Sequence, residues 1–290
     1  MGMRLPGGVR SAEDFWEMLI EKKTGHGEIP ESRYNAKSFC DPKNPRQIRT
    51  RYGYYLQEDP ACFDADFFSM SSVEASRVDP QQRLLLEVVW ECLENAGETD
   101  WRGKNIGCYV GTFGEDWLCL STKEYQHIDR YYALGTGAFA LSNRISYVYD
   151  FRGPSMTIQT GCSASLVGEY GHIGKWDVPK LRPDHNNDPI RGVIRGTASN
   201  SDGWKSTITA PDVLSQESLM RTAYSNANIS DISQTPYFEC HGTGTAMGDS
   251  VEPSAIARVT KGNSVYIGSV KPNVGHSEGA SGITSVIKTV

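Results

Sequence analysis

No stretch of this 290-residue chain is apolar over the roughly 20 residues that a membrane-spanning helix needs. Cysteine is sparse and unpatterned. Its seven copies, at 40, 62, 92, 108, 119, 162 and 240, are odd in number and include no C-x-x-C pair. That argues against a disulfide framework and for a reducing compartment. No local His/Cys/Asp spacing marks a metal site, and no glycine-rich segment matches a nucleotide P-loop. An excess of positive charge is missing too. The balance of 29 basic against 35 acidic residues gives −6, so no nucleic-acid or anionic-membrane surface is implied. The opening residues Met1 to Gly8 lack the apolar core of a signal peptide, and Pro6 stands where a myristoylation signal wants Ser or Thr. Low-complexity tracts and short-period repeats are also absent. The expectation is a soluble cytoplasmic α/β chain, long enough to bury a core as one large domain or two smaller ones.

The most informative feature that is present is Cys162. Residues 155–160, Ser-Met-Thr-Ile-Gln-Thr, read as a short buried strand; Gly161 reads as a tight turn and Ser163-Ala164-Ser165-Leu166-Val167 as the start of a helix. A sulfur at that junction meets the unpaired N–H groups and positive dipole end of a helix, which favour thiolate. Nucleophiles are often presented on such an elbow. An inert cysteine filling a core fits the same local pattern. Two further segments weigh on the choice: Glu239-Cys240-His241-Gly242-Thr243-Gly244-Thr245 and Lys271-Pro272-Asn273-Val274-Gly275-His276-Ser277-Glu278-Gly279. Each puts one histidine in a glycine-containing loop after a plausible strand, at 237–238 and 265–268. Taken singly, either histidine reads as structural or surface. Three reactive groups on three strand ends read as a site assembled from distant sequence.

The remaining pattern alternates strand and helix. Ser11-Ala12-Glu13-Asp14 caps a helix whose predicted apolar face is Ala12, Phe15, Trp16, Leu19 and Ile20. Residues 25–59, rich in Pro, Asn, Arg and Lys, read as a surface excursion. A long helix is expected over 80–96, closed by Gly97. A strand follows at 106–112, a helix at 139–149, a strand at 190–198 and helices at 213–227, 251–257 and 280–289. This alternation argues for a mostly parallel sheet covered on both faces. Asp249 and Glu252 read as an N-terminal cap and a first-turn charge, and Asn273 as a turn-shaping residue.

Asp79-Pro80-Gln81-Gln82-Arg83, Leu141-Ser142-Asn143-Arg144-Ile145-Ser146, Gly153-Pro154-Ser155, Thr160-Gly161-Cys162-Ser163-Ala164-Ser165-Leu166, His241-Gly242-Thr243-Gly244-Thr245 and Lys271-Pro272-Asn273-Val274-Gly275-His276 occur in that order along nearly the whole chain. In this combination the chain resembles the β-ketoacyl synthase (ketosynthase) domain of polyketide synthases, most closely the fungal reducing type. The resemblance implies a thiolase-like fold of five αβαβα layers, an N-terminal half (1–187) carrying the nucleophile and a C-terminal half (188–290) carrying the histidines. It implies decarboxylative Claisen condensation, with Cys162 as the acyl acceptor and His241 and His276 as donors to a malonyl thioester. Thr243 and Thr245 match the threonines that hold the phosphopantetheine arm of an acyl carrier protein; without the resemblance they merely cap their loop. Lys271 matches a lysine that orients the site through its charge, where a solvated surface lysine is the plainer reading. The domain is expected to bind no cofactor or metal of its own, to form a homodimer, and to work with acyl carrier protein and acyltransferase domains.

The chain also departs from that family. Residues 169–187 are unfamiliar and polar, standing where the family has the rest of the nucleophile helix, a central strand and a loop-rich region. The apolar first strand and the final strands with their oxyanion loop are not present, so the fold is expected to be truncated. Unpaired ladder groups cost about 1–3 kcal/mol each against a total stability of about 5–15 kcal/mol. An inactive remnant is therefore an alternative to an active enzyme. A non-decarboxylating thiolase is a weaker alternative, because its signature puts a second cysteine where this chain has His276.

Overall fold

The computed structural model describes residues 1–123, 128–174 and 190–290. Its elements in chain order are α1 (Ala12–Ile20), β1 (His26–Glu28), α2 (Ala36–Phe39), β2 (Tyr52–Tyr54), α3 (Ser72–Arg77), α4 (Pro80–Ala96), β3 (Cys108–Gly111), α5 (Asp116–Ser121), α6 (Tyr132–Thr136), α7 (Ala140–Tyr149), β4 (Ser155–Ile158), α8 (Ala164–Gly174), α9 (Val213–Asn226), β5 (Tyr237–Glu239), α10 (Gly248–Val259), β6 (Tyr266–Gly268), α11 (Lys271–Val274) and α12 (Ser281–Thr289). β3 and β4 pair in parallel from Cys108↔Ser155 to Gly111↔Ile158. β5 and β6 pair in parallel from Tyr237↔Tyr266 to Glu239↔Gly268. β1 and β2 form a small antiparallel ladder. α7 and α8 pack against the β3–β4 ladder, and α12 packs on α8, so a helix late in the chain lies against the helix that follows Cys162.

Local chemistry explains several elements. Ser11 and Asp14 form a reciprocal capping box on α1. Pro80 occupies the first turn of α4, Asp79 accepts from the Gln81 N–H, and Gly97 ends the helix in the left-handed conformation. The Asp79–Arg83 motif is a polar knot in the frame. Buried Gln82 donates to the Leu134 carbonyl at 2.9 Å and accepts from Arg144 Nε at 2.7 Å, while Arg144 also donates to Glu74 at 2.8 Å. These bonds tie α3, α4, α6 and α7 around one core that includes Val78, Leu86, Val110, Leu141, Ile145 and Tyr149. A second core joins Met3, Leu5, Val9, Phe15 and Met18 to Val270 and Val274, so the N-terminal segment packs directly on α11. Gly111 lets α8 approach β3: a Cβ there would lie 2.4 Å from the Ser165 nitrogen. None of the helices among the described residues is long and apolar enough to cross a membrane.

Three expectations change. Residues 190–198 form no strand. They run as irregular chain with Ile190 and Val193 exposed, Val193 at 74%. β-branched residues favour a strand only when a ladder neighbour exists, and none of the described strands pairs with them. The buried face of α1 is Phe15 and Met18; Trp16 and Ile20 stay 67% and 60% exposed. Among the described residues, the strands expected to form a mostly parallel sheet are grouped as three two-stranded ladders, two parallel and one antiparallel. Residues 175–187 of the unfamiliar segment, and the boundary between halves at 187/188, lie outside the described residues.

Candidate active site

β4 ends at Ile158 and Gly161 turns the chain with a φ of 67°, a conformation that costs glycine little. Gly161–Ser163 form one 3₁₀ turn that runs into α8 at Ala164. Ser163 Oγ donates to the Thr160 carbonyl at 2.9 Å. Three residues past the cysteine, Ser165 Oγ accepts the Ile283 N–H at 3.1 Å, which pins α12 to the start of α8. Cys162 itself is partly buried and free. The elbow expected from the residues is present, with a 3₁₀ turn at its tip.

His241 follows β5. The Cys240 N–H is bonded to the Gly268 carbonyl at 2.6 Å, extending the β5–β6 ladder to the residue before the histidine. Glu252 of α10 then reaches back with both oxygens, accepting from the His241 N–H at 2.6 Å and the Gly242 N–H at 3.0 Å. Asp249 accepts from the Gly244 N–H at 3.2 Å. These two carboxylates are therefore loop clamps. Neither caps α10, whose N-cap residue, Met247, makes no side-chain bond.

His276 is held differently. α11 precedes it, and the Asn273 side chain donates to the Lys23 carbonyl at 2.8 Å. Thr24 Oγ1 donates to the Pro272 carbonyl at 2.9 Å, and Tyr54 OH to the same carbonyl at 3.1 Å. Asn273 thus fixes its turn by bonding to residues at the opposite end of the chain. The ring Nδ1 accepts the Glu278 N–H at 2.9 Å and lies 3.2 Å from Ser281 Oγ. An Nδ1 that accepts leaves the imidazole proton on Nε2, so the free edge of the ring is a donor.

The two rings lie with centroids 5.5 Å apart at 78°. One nitrogen of each and Cys162 Sγ all fall within 4.8 Å of one another. Burial pushes the His241 pKa below the ordinary histidine value, and Lys271 and His276 lower it further against the pull of Glu252. His241 is thus a neutral imidazole at pH 7, although the residue remains open to solvent. Lys271 is 7% exposed, which removes the surface-lysine reading. Burial lowers its pKa, while Glu239, Glu252 and the Cys162 sulfur oppose that shift. A sulfur nucleophile beside two hydrogen-bond donors and a buried cation can take an acyl group and stabilise negative charge on an oxygen.

The structure brings Cys162, His241, His276 and Lys271 together. Thr243 and Thr245 lie on the His241 loop, 3.5 Å apart at their hydroxyls, and Thr245 Oγ1 accepts the Gly248 N–H at 3.1 Å. Glu239 was not among the expected site residues. One oxygen accepts the Val270 N–H at 2.7 Å and the other takes Lys288 Nζ at 2.6 Å, with Tyr237 OH bonded to the same carboxylate. It therefore holds the residue before Lys271. Its only sequence signal is a charge inside an apolar strand.

Residues 1–170 match the family described as Beta-ketoacyl synthase, N-terminal domain, and residues 191–290 match Beta-ketoacyl synthase, C-terminal domain. The highly reducing polyketide synthase g433 of a Fusarium species is 45% identical over 349 residues, an alignment that takes in 100% of this chain and 14% of that protein. Highly reducing polyketide synthase lcsB of Purpureocillium lilacinum is 44% identical over 321 residues, covering 100% of this chain and 13% of the relative. The chain thus spans a small fraction of the length of the curated relatives it matches, and both alignments are longer than its 290 residues. Among solved structures, the oxazolomycin ketosynthase domain OzmH KS7 of Streptomyces albus JA3453 superposes with a TM-score of 0.86 at 27% identity, covering 99% of this chain and 61% of that one. The ketosynthase from module 6 of the bacillaene synthase of Bacillus subtilis 168 gives a TM-score of 0.83 at 27% identity, covering 99% and 59%. The fold is the thiolase-like layered α/β fold, and the chain belongs to the β-ketoacyl synthase family, as a ketosynthase domain of the polyketide synthase type.

Proposed function

We propose that this chain catalyses decarboxylative Claisen condensation in polyketide biosynthesis. The Cys162 thiolate attacks an acyl thioester, releases the carrier thiol and keeps the acyl group. A malonyl thioester on the phosphopantetheine arm of an acyl carrier protein then loses CO₂, and negative charge develops on its thioester oxygen. His276 through its Nε2 proton and neutral His241 donate to that oxygen. The resulting carbanion attacks the acyl-Cys162 carbonyl, expelling the thiolate and leaving a β-ketoacyl chain on the carrier. In this reading Lys271 orients the site by its charge, and Thr243 and Thr245 hold the arm. The domain itself binds no cofactor. It functions as a cytoplasmic homodimer of two-part subunits, 1–187 and 188–290, beside acyltransferase and carrier domains of a larger synthase.

The observation that carries the reading is the convergence of Cys162, His241 and His276 within 4.8 Å from three separate segments. Purified protein given malonyl-carrier thioester is expected to release CO₂, and a cysteine-directed epoxide is expected to label Cys162 selectively. Failure of both would mark the chain as an inactive remnant.

A further inference from the structure

Outside the condensing chemistry, the same three side chains have a second property. A thiolate and two imidazoles are the donors that Zn²⁺ prefers, and three protein donors with a fourth position open is the pattern of accessible zinc sites. Tetrahedral zinc with bonds of about 2.3 Å to sulfur and about 2.0–2.1 Å to nitrogen needs its donors roughly 3.3–3.6 Å apart. The observed limit of 4.8 Å is within side-chain adjustment of that spacing. The His241 residue is exposed, so an ion has access. Local sequence spacing did not reveal this set, because its members come from the α8 elbow, the β5–α10 loop and the α11–α12 loop.

We propose that Cys162, His241 and His276 form a Zn²⁺ site whose occupancy withdraws the nucleophile. Binding displaces the thiol proton to solvent and forms Zn–S and two Zn–N bonds, with no change of oxidation state. The hydrogen bonding around His276 shows what the metal competes with. Glu278 N–H on Nδ1 keeps the proton on Nε2, where it serves the thioester oxygen. For Nε2 to bind metal, that proton moves to Nδ1. Ser281 Oγ, 3.2 Å away, then accepts it, and the Glu278 bond is given up. An oriented partner of this kind typically sets metal affinity by 10- to 100-fold. The ring therefore serves either as donor to substrate or as ligand to zinc, so the two exclude each other. The buried charge of Lys271 restrains affinity, which keeps the metal exchangeable. The inhibitory consequence rests on the ketosynthase reading; the metal site does not.

The test is titration of the EDTA-treated chain with Co²⁺ alone. Expected are a saturable one-to-one tetrahedral cobalt spectrum with a sulfur-to-cobalt charge-transfer band, displacement by Zn²⁺, and loss of the band after epoxide alkylation of Cys162 or in Cys162→Ala. Ser281→Ala is expected to weaken binding about 10- to 100-fold. Alkylation of the wild-type protein covers the case in which a variant fails to fold. Absence of the spectrum, or its survival after alkylation, overturns the proposal. CO₂ release in EDTA separates the two readings. Activity without a cobalt spectrum removes the metal site alone, and a cobalt spectrum without CO₂ release removes the condensing reading alone.

Discussion

The two histidine loops reach the same sulfur on different supports. His241 is held by its own neighbourhood: Glu252, eleven residues on, clamps two successive N–H groups, and Asp249 takes a third. His276 is held from far away. Lys23 and Thr24 bond to Asn273 and Pro272 across about the whole length of the chain, and Met3, Leu5 and Phe15 pack on Val270 and Val274. The His241 loop is thus fixed by local chemistry, whereas the His276 loop adds long-range packing to the local bonds of its ring to Glu278 and Ser281. Damage to the N-terminal segment should therefore disturb the His276 loop and spare the His241 loop.

The largest effect should come from a buried charge that serves both loops. Glu239 lies on β5 just before His241 and also holds the Val270 N–H, while Lys288 neutralises it with side chains 19% and 7% exposed. Lys288→Ala leaves that carboxylate buried and unpaired, at about 3–5 kcal/mol. It should lower the denaturant midpoint and raise amide exchange in both loops; exchange confined to one loop would show that Glu239 serves only that loop. Glu252→Gln should be smaller and one-sided. It removes charge-assisted bonds worth about 1.5–3 kcal/mol, so exchange should rise at 241–244 and stay unchanged at 271–276. Thr24→Val is the mirror experiment, with about 0.5–1.5 kcal/mol and faster exchange at 271–276 only. Equal exchange in both loops for either variant would break the comparison.

The smallest effect is a pH dependence. His241 titrates below the ordinary histidine value because it is partly buried and faces Lys271. Below about pH 6.5 the unfolded chain binds a proton that the folded chain does not. Stability from this group is therefore present at higher pH and lost as pH falls through the unfolded value toward the depressed folded one. Denaturant midpoints at pH of about 7.5 and about 5.5 should differ by less in His241→Asn than in the wild-type chain.

What could be read from the residues alone follows the same division between local and distant. The α1 capping box, the Pro80 start and Gly97 stop of α4, and the Gly161 elbow each depend on atoms within a few residues, and each is present. The strand expected at 190–198 depends on a partner that no nearby residue supplies, and it is absent. Trp16 and Ile20 fit a helical stripe, yet the core in front of α1 is built from α11 and takes Phe15 and Met18 instead. Glu252 reads as a helix-start charge, but α10 begins at Gly248, and the Glu252 carboxylate reaches back to two N–H groups of the preceding loop. Lys271 is buried between Val270 and Val274, which pack on the N-terminal segment, and no local pattern carries that burial.

If this chain condenses thioesters as proposed, two imidazoles act on one thioester beside one sulfur. The direct measurement is CO₂ release from malonyl-carrier thioester by His241→Ala and by His276→Ala, each with epoxide labelling of Cys162 as the control for an intact elbow. Each variant should lose about 10²- to 10³-fold in rate, the usual loss for one oxyanion donor, while labelling persists. A wild-type rate of release in either variant would contradict that reading.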